Sequence, residues 1–130
     1  MSTEVPPGAP TPPITLGEQP SATTDRLVAP EVEVDDATLD RLRDVCAVVT
    51  TDDAERAEAG RDWWPLAMTW ALEGQVGRRP AVVARPGSDE EVAAVLAVCH
   101  EAGVPVTAAA GRSGVCGGSV PVFGGVLLDL

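Results

Sequence analysis

The pattern that most restricts this chain lies between Ala81 and Leu130. "AVVARP" is a short apolar run closed by Pro86, and "VPVTAAA" and "GGVLLDL" are two more. Runs of this length, bounded by proline and glycine, read as buried strands. Between the first two lies "GSDEEVAAVLAVCHEAG". Its Ser88 and Glu91 have the spacing of a capping box, in which each side chain satisfies a backbone N–H of the other. Val92, Val95, Leu96 and Cys99 then fall on one helical face, and Gly103 suits the helix end. Strand, helix and strand at this separation predict a right-handed parallel crossover. The last run is expected to form a hydrophobic edge strand without a neighbour.

The second and third runs are joined by a connection with an unusual composition. Six of the chain's 13 glycines fall at Gly111, Gly114, Gly117, Gly118, Gly124 and Gly125. A dinucleotide fingerprint needs G-x-G-x-x-G opening a helix; here the spacing is Gly111-x-x-Gly114-x-x-Gly117 and a strand follows. A phosphate-binding P-loop needs a lysine, and the chain has none: all nine basic residues are Arg. A nucleophile elbow needs G-x-S-x-G, and Gly114 comes one place early. Two readings remain. One is an anion cradle, with backbone N–H groups around phosphate oxygens and with Arg112 and Ser113 adding charge and a hydroxyl. The other is a plain connection between strands.

Upstream the signals are weaker. Residues 1–35 hold seven of the 12 prolines and no periodic apolar face, so they read as a disordered acidic tail. Order is expected to begin near Asp36, with Asp35 or Asp36 as a helix cap. Leu39, Leu42, Val45, Cys46 and Val49 lie at helical spacing. A charged segment follows, then "DWWPLAMTWALEG", where Pro65 suits a first helical turn and Gly74 its end. Trp63, Trp64 and Trp70 read as packing residues or as a cavity wall. The organisation predicted is a tail (1–35), a helical region (36–78) and an α/β segment (79–130), in the α/β or α+β class.

Charge and cysteine usage exclude several functions. The net charge of -11 disfavours nucleic acid and anionic lipid as partners. Cys46, Cys99 and Cys116 are too widely spaced for a disulfide framework, and a single histidine, His100, argues against zinc. Cys46 and Cys99 read as small buried residues, and His100 as a helix-end cation. No apolar run reaches transmembrane length and no secretory signal is visible, so a cytoplasmic protein is expected.

Residues 79–130, "RPAVVARPGSDEEVAAVLAVCHEAGVPVTAAAGRSGVCGGSVPVFGGVLLDL", resemble the start of the FAD-binding domain of the vanillyl-alcohol oxidase and p-cresol methylhydroxylase family. The shared features are a strand ending in proline, a helix opening Ser-x-x-Glu-Val, a strand, and a glycine loop containing Gly-x-Ser. The resemblance is strongest to the branch holding alkylglycerone-phosphate synthases, D-lactate dehydrogenases and glycolate oxidase subunits. "RDWWPLAMTWALEG" is similar to bacterial members near that branch. The resemblance implies N-terminal helices followed by a β-α-β unit. It implies that FAD is bound through Thr107, Ala108, Ala109, Ala110, Gly111, Arg112 and Ser113, with Gly114, Gly117 and Gly118 shaping the turn. Arg112 stands where covalent members carry a flavin-linked histidine, so FAD is expected to be non-covalent with respect to this segment. The implied activity is FAD-dependent oxidation of a small 2-hydroxy acid or an alkylglycerone-phosphate-like substrate. Its catalytic groups are expected beyond Leu130, so the 130 residues are read as an inactive N-terminal part. A non-catalytic flavin- or nucleotide-binding fragment and an interaction domain are the alternatives.

Overall fold

The computed structural model describes residues 16, 17 and 19–130. After a 3-10 turn at Pro20–Ala22, the elements in chain order are β1 (Thr24–Asp25), α1 (Asp36–Val45), β2 (Val48–Thr50) and α2 (Asp53–Ala59). They continue with α3 (Pro65–Leu72), β3 (Gln75–Val76), β4 (Val82–Arg85), α4 (Asp89–Ala102), β5 (Val106–Ala109) and β6 (Val126–Asp129). The main sheet has the order β2-β4-β6-β5, with β4, β6 and β5 parallel and β2 antiparallel at one edge.

Strand β6 therefore lies in the middle of the sheet, which corrects the edge position expected for it. Val126 pairs with Val82 on one side and Val106 on the other. The β4-α4-β5 crossover leaves one strand's width open, and β6 fills it. Both faces of the sheet are covered, so its central strands read as unbroken apolar runs rather than alternating ones. Val82, Ala84, Val126 and Leu128 face α1 and α4, meeting Leu42, Val95, Val98 and Cys99. Val83 and Leu127 face the other side, with Ala59 and Ala109.

Local chemistry sets the helix ends. Asp35 Oδ1 accepts the N–H of Thr38 at 2.7 Å and caps α1. The helix stops at Val45, where Cys46 turns to extended backbone, so the helical spacing carried on to Val49 is corrected: Val49 belongs to β2. At α4, Ser88 Oγ accepts the N–H of Glu91 as expected. The reciprocal half of the capping box does not form. Glu91 instead accepts from Gly87 N at 2.9 Å and Ala47 N at 2.7 Å, joining the helix start to the turn before β2. These two bonds hold the Glu91 carboxyl below its ordinary pKa. Val98 replaces Leu96 on the buried face of α4, and Leu96 is exposed. The charged segment forms α2, a helix not anticipated, buried through Ala57 and Ala59.

The boundary expected at Asp36 does not hold for the described residues before it. Leu16 is 2% exposed and packs with Ala57, Ala71 and Val76. β1 pairs with β3, and Asp25 Oδ1 accepts from Arg79 N and Nε at 2.9 and 3.0 Å. Arg78 donates to the carbonyl of Ala29 at 2.8 Å. The tail reading for residues 1–15 and 18 lies outside the described residues. Truncating a buried leucine to alanine typically costs about 2–5 kcal/mol. Leu16→Ala is expected to lower stability by that amount in urea denaturation; an unchanged midpoint would show that Leu16 contributes no packing.

Candidate functional site

The glycine connection leaves the carboxyl end of β5, where ligands of open α/β sheets bind, and returns along the β5 edge to the start of β6. Residues 108–114 with Gly118, Ser119 and Asp62 line a cleft of about 300 Å³ at that carboxyl end. Ala110, Gly111, Ser113 and Gly114 are exposed. Their backbone N–H groups have no protein acceptor among the described residues. A Cβ placed on Gly111 would meet nothing within 4 Å. The loop thus presents bare amide donors with open space before them, a surface that suits an anion.

The backbone turn is made at Arg112, whose φ of 49° is left-handed. Such a conformation costs a non-glycine residue about 1–3 kcal/mol and needs support from its surroundings. Support comes from below. The Arg112 side chain is buried, and its Nη1 donates to the carbonyl oxygen of Glu58 at 2.6 Å. Burial pushes the guanidinium pKa down, against the opposing pull of the Asp129 and Glu58 carboxylates. The expectation that Arg112 lends its charge directly to a bound anion is therefore corrected. Its side chain anchors the loop inward, and the loop's outward face is backbone.

A layer of ion pairs underlies this anchor. Arg61, 1% exposed, forks onto Glu58 with distances of 2.8 and 3.0 Å. Arg85 donates to Asp129 Oδ2 at 2.9 Å and to Glu55 at 2.6 Å. Burial opposes charge on Arg85, but those two carboxylates outweigh it and raise its pKa. Gly117 has φ 75°, and a Cβ there would fall 2.8 Å from Trp64 Cε3. Only glycine lets the turn lie on that ring, which itself meets Trp70 edge-on at 5.3 Å between centroids.

Of the ten residues expected to bind the cofactor, Ala108, Ala109, Ala110, Gly111, Arg112, Ser113, Gly114 and Gly118 come together on the cleft. Thr107 lines a neighbouring cleft along the β5 edge with Pro105, Val106 and Val122, and Gly117 seats the turn on Trp64. Two residues of the cleft, Asp62 and Ser119, were not anticipated. Asp62 sits in the "RDWWP" stretch, where the tryptophans drew the packing argument and the carboxylate beside them did not. Cys46 and Cys99 are buried, and burial raises both thiol pKa values, so neither is poised to react. Among the described residues there is no metal-holding cluster of His, Cys, Asp and Glu. No helix among them is long and apolar enough to cross a membrane.

The cleft thus lies where a glycine loop leaves the carboxyl end of a mostly parallel sheet in an α/β fold. Residues 80–130 match the family described as FAD binding domain. The chain is similar to the D-lactate dehydrogenase of Anaerostipes hadrus, 46% identical over 52 residues, or 40% of this chain and 11% of that protein. It is 46% identical over 50 residues to the glycolate oxidase subunit GlcD of Escherichia coli K12, covering 38% and 10%. In architecture the chain is similar to a solved alkyldihydroxyacetonephosphate synthase, with a TM-score of 0.72 over 92% of this chain and 23% of that one, at 21% identity. The chain spans about a tenth of the length of the curated relatives it matches.

Proposed function

We propose that the loop from Thr107 to Gly118 holds the diphosphate of FAD, in a protein that oxidises a small 2-hydroxy acid or an alkylglycerone-phosphate-like substrate. The observation that carries the cofactor half is the row of exposed, unpaired amides at Ala110, Gly111, Ser113 and Gly114 beside open space. Such donors, fixed in position, satisfy phosphate oxygens without any rearrangement of side chains. Small residues at Ala108, Ala109 and Ala110 let an extended ligand lie close to the strand ends. The substrate half is supported by the relatives' names, D-lactate dehydrogenase and glycolate oxidase. When bound, FAD supplies the electron acceptor for such an oxidation. The described residues bind and orient; none is assigned a role at a reacting atom. The three free cysteines accord with a cytoplasmic setting.

Titration of the full chain with FAD, followed by flavin fluorescence, tests the cofactor half; failure of saturable binding would overturn it. Attachment has its own test. By the family resemblance Arg112 stands where covalent members carry the flavin-linked histidine, and its side chain is buried against Glu58. Acid precipitation of the loaded protein is expected to release the flavin into the supernatant. Flavin retained on a peptide spanning residues 107–118 would contradict the assignment.

A further inference from the structure

Asp62 is 1% exposed, and its two carboxylate oxygens are used unequally. Oδ1 accepts the N–H of Trp64 at 2.9 Å. Oδ2 is buried and meets no donor among the described residues, and the same holds for Ser119 Oγ on the same cleft. A buried acceptor without a donor is costly and uncommon in folded proteins, so its presence requires an account. Oδ2 lies beneath the glycine loop, 3.9 Å from where a Cβ on Gly114 would sit. Gly114 is exposed and carries no side chain, so only backbone covers the oxygen on that side.

The cleft therefore offers two chemistries side by side. The loop amides suit phosphate oxygens. An ionised carboxylate oxygen takes only a donor and repels a phosphate. A ligand satisfying both carries a hydroxyl close to a phosphate group. We propose that Asp62 accepts a hydrogen bond from a hydroxyl of the polyol or sugar adjoining the bound diphosphate, and so reads the cofactor's sugar portion. The inference rests on the diphosphate assignment above. In FAD the hydroxyl has two sources: the ribityl hydroxyl nearest the diphosphate and the ribose hydroxyl nearest it.

The test is calorimetric titration of the full chain with FAD and with two analogues, each lacking one of those hydroxyls. The wild type is expected to bind one analogue about tenfold more weakly than FAD, the size of a single charge-assisted hydrogen bond. The analogue that suffers identifies the source. Asp62→Asn keeps an oxygen for the Trp64 N–H, and is expected to bind FAD and that analogue within about threefold of each other. Equal binding of FAD and both analogues by the wild type, or undiminished discrimination in Asp62→Asn, overturns the role of Asp62 and leaves the diphosphate assignment standing. Absence of FAD binding to the wild type overturns both. If Asp62→Asn fails to fold, as judged by its melting curve, equal binding of FAD and both analogues by the wild type still overturns the proposal.

Discussion

Gly111→Val is expected to weaken FAD binding roughly tenfold or more while leaving the fold intact, since a charge-assisted hydrogen bond contributes about 1.5–3 kcal/mol and the added side chain displaces at least one. The two halves of this expectation have separate grounds. Gly111 does not use the left-handed region, and a Cβ there meets nothing within 4 Å, so the protein itself loses no contact. On the proposed diphosphate assignment, the same open space is where a phosphate oxygen approaches the amides of residues 110–114. The substitution therefore removes ligand room without removing protein packing. Flavin affinity of wild type and variant, with circular dichroism and melting temperature beside it, provides the comparison. Equal affinity in two folded proteins would return the glycine stretch to a plain turn. At Gly117 the same substitution is uninformative, because a side chain there strikes Trp64 and disturbs the turn directly.

Gly125→Ala carries the largest expected loss of stability. Gly125 has φ 64°, and its added Cβ would lie 2.3 Å from the Pro105 carbonyl oxygen and 2.7 Å from Pro105 Cγ. The obstacle is backbone, and it cannot retreat freely: Pro105 O accepts the N–H of Val126 at 3.0 Å, the first bond of the β5–β6 ladder. Gly125 also donates to Val32 O and accepts from Ala81 N, so its own backbone is held on both sides. Left-handed strain of about 1–3 kcal/mol and overpacking of about 1–3 kcal/mol together give a loss of about 4 kcal/mol. Urea denaturation of the two proteins measures it. A loss below about 1 kcal/mol would show that residues 120–125 reach β6 by another path.

The elements from β4 onward were legible because each announces itself locally. Pro86 closes a strand, Ser88 opens a helix, and Gly103 adopts the left-handed C-cap at φ 68°. The loop was legible for the same reason, as its glycines cluster between two apolar runs. What escaped depends on distant partners. β2 continues the apolar spacing of α1, and only pairing with β4 makes Val48–Thr50 extended. The order of strands is nowhere in local sequence, so the central place of β6 was missed. Leu16 sits in a proline-rich context that reads as unstructured until Ala57, Ala71 and Val76 supply a pocket for it. At the site, the loop backbone was foreseen but the inward turn of Arg112 and the buried face of Asp62 were not. Both are consequences of burial, and a single sequence does not display burial for a polar residue in a loop.

The position of β6 also governs when this sheet can come into being. Synthesis proceeds from the amino end, so β4, α4 and β5 are made while the slot between the two strands is still empty. No hydrogen-bonded ladder joins β4 to β5 until Val126–Asp129 enters between them. Long-range pairing of this kind is slow to form, and it leaves apolar strand surface uncovered in the interval. Until then β4 can pair with β2 on one side only, and its β6 side stays without a neighbour. The glycine loop is settled at the same moment, because the strand that completes the sheet is the one that fixes the loop's far end.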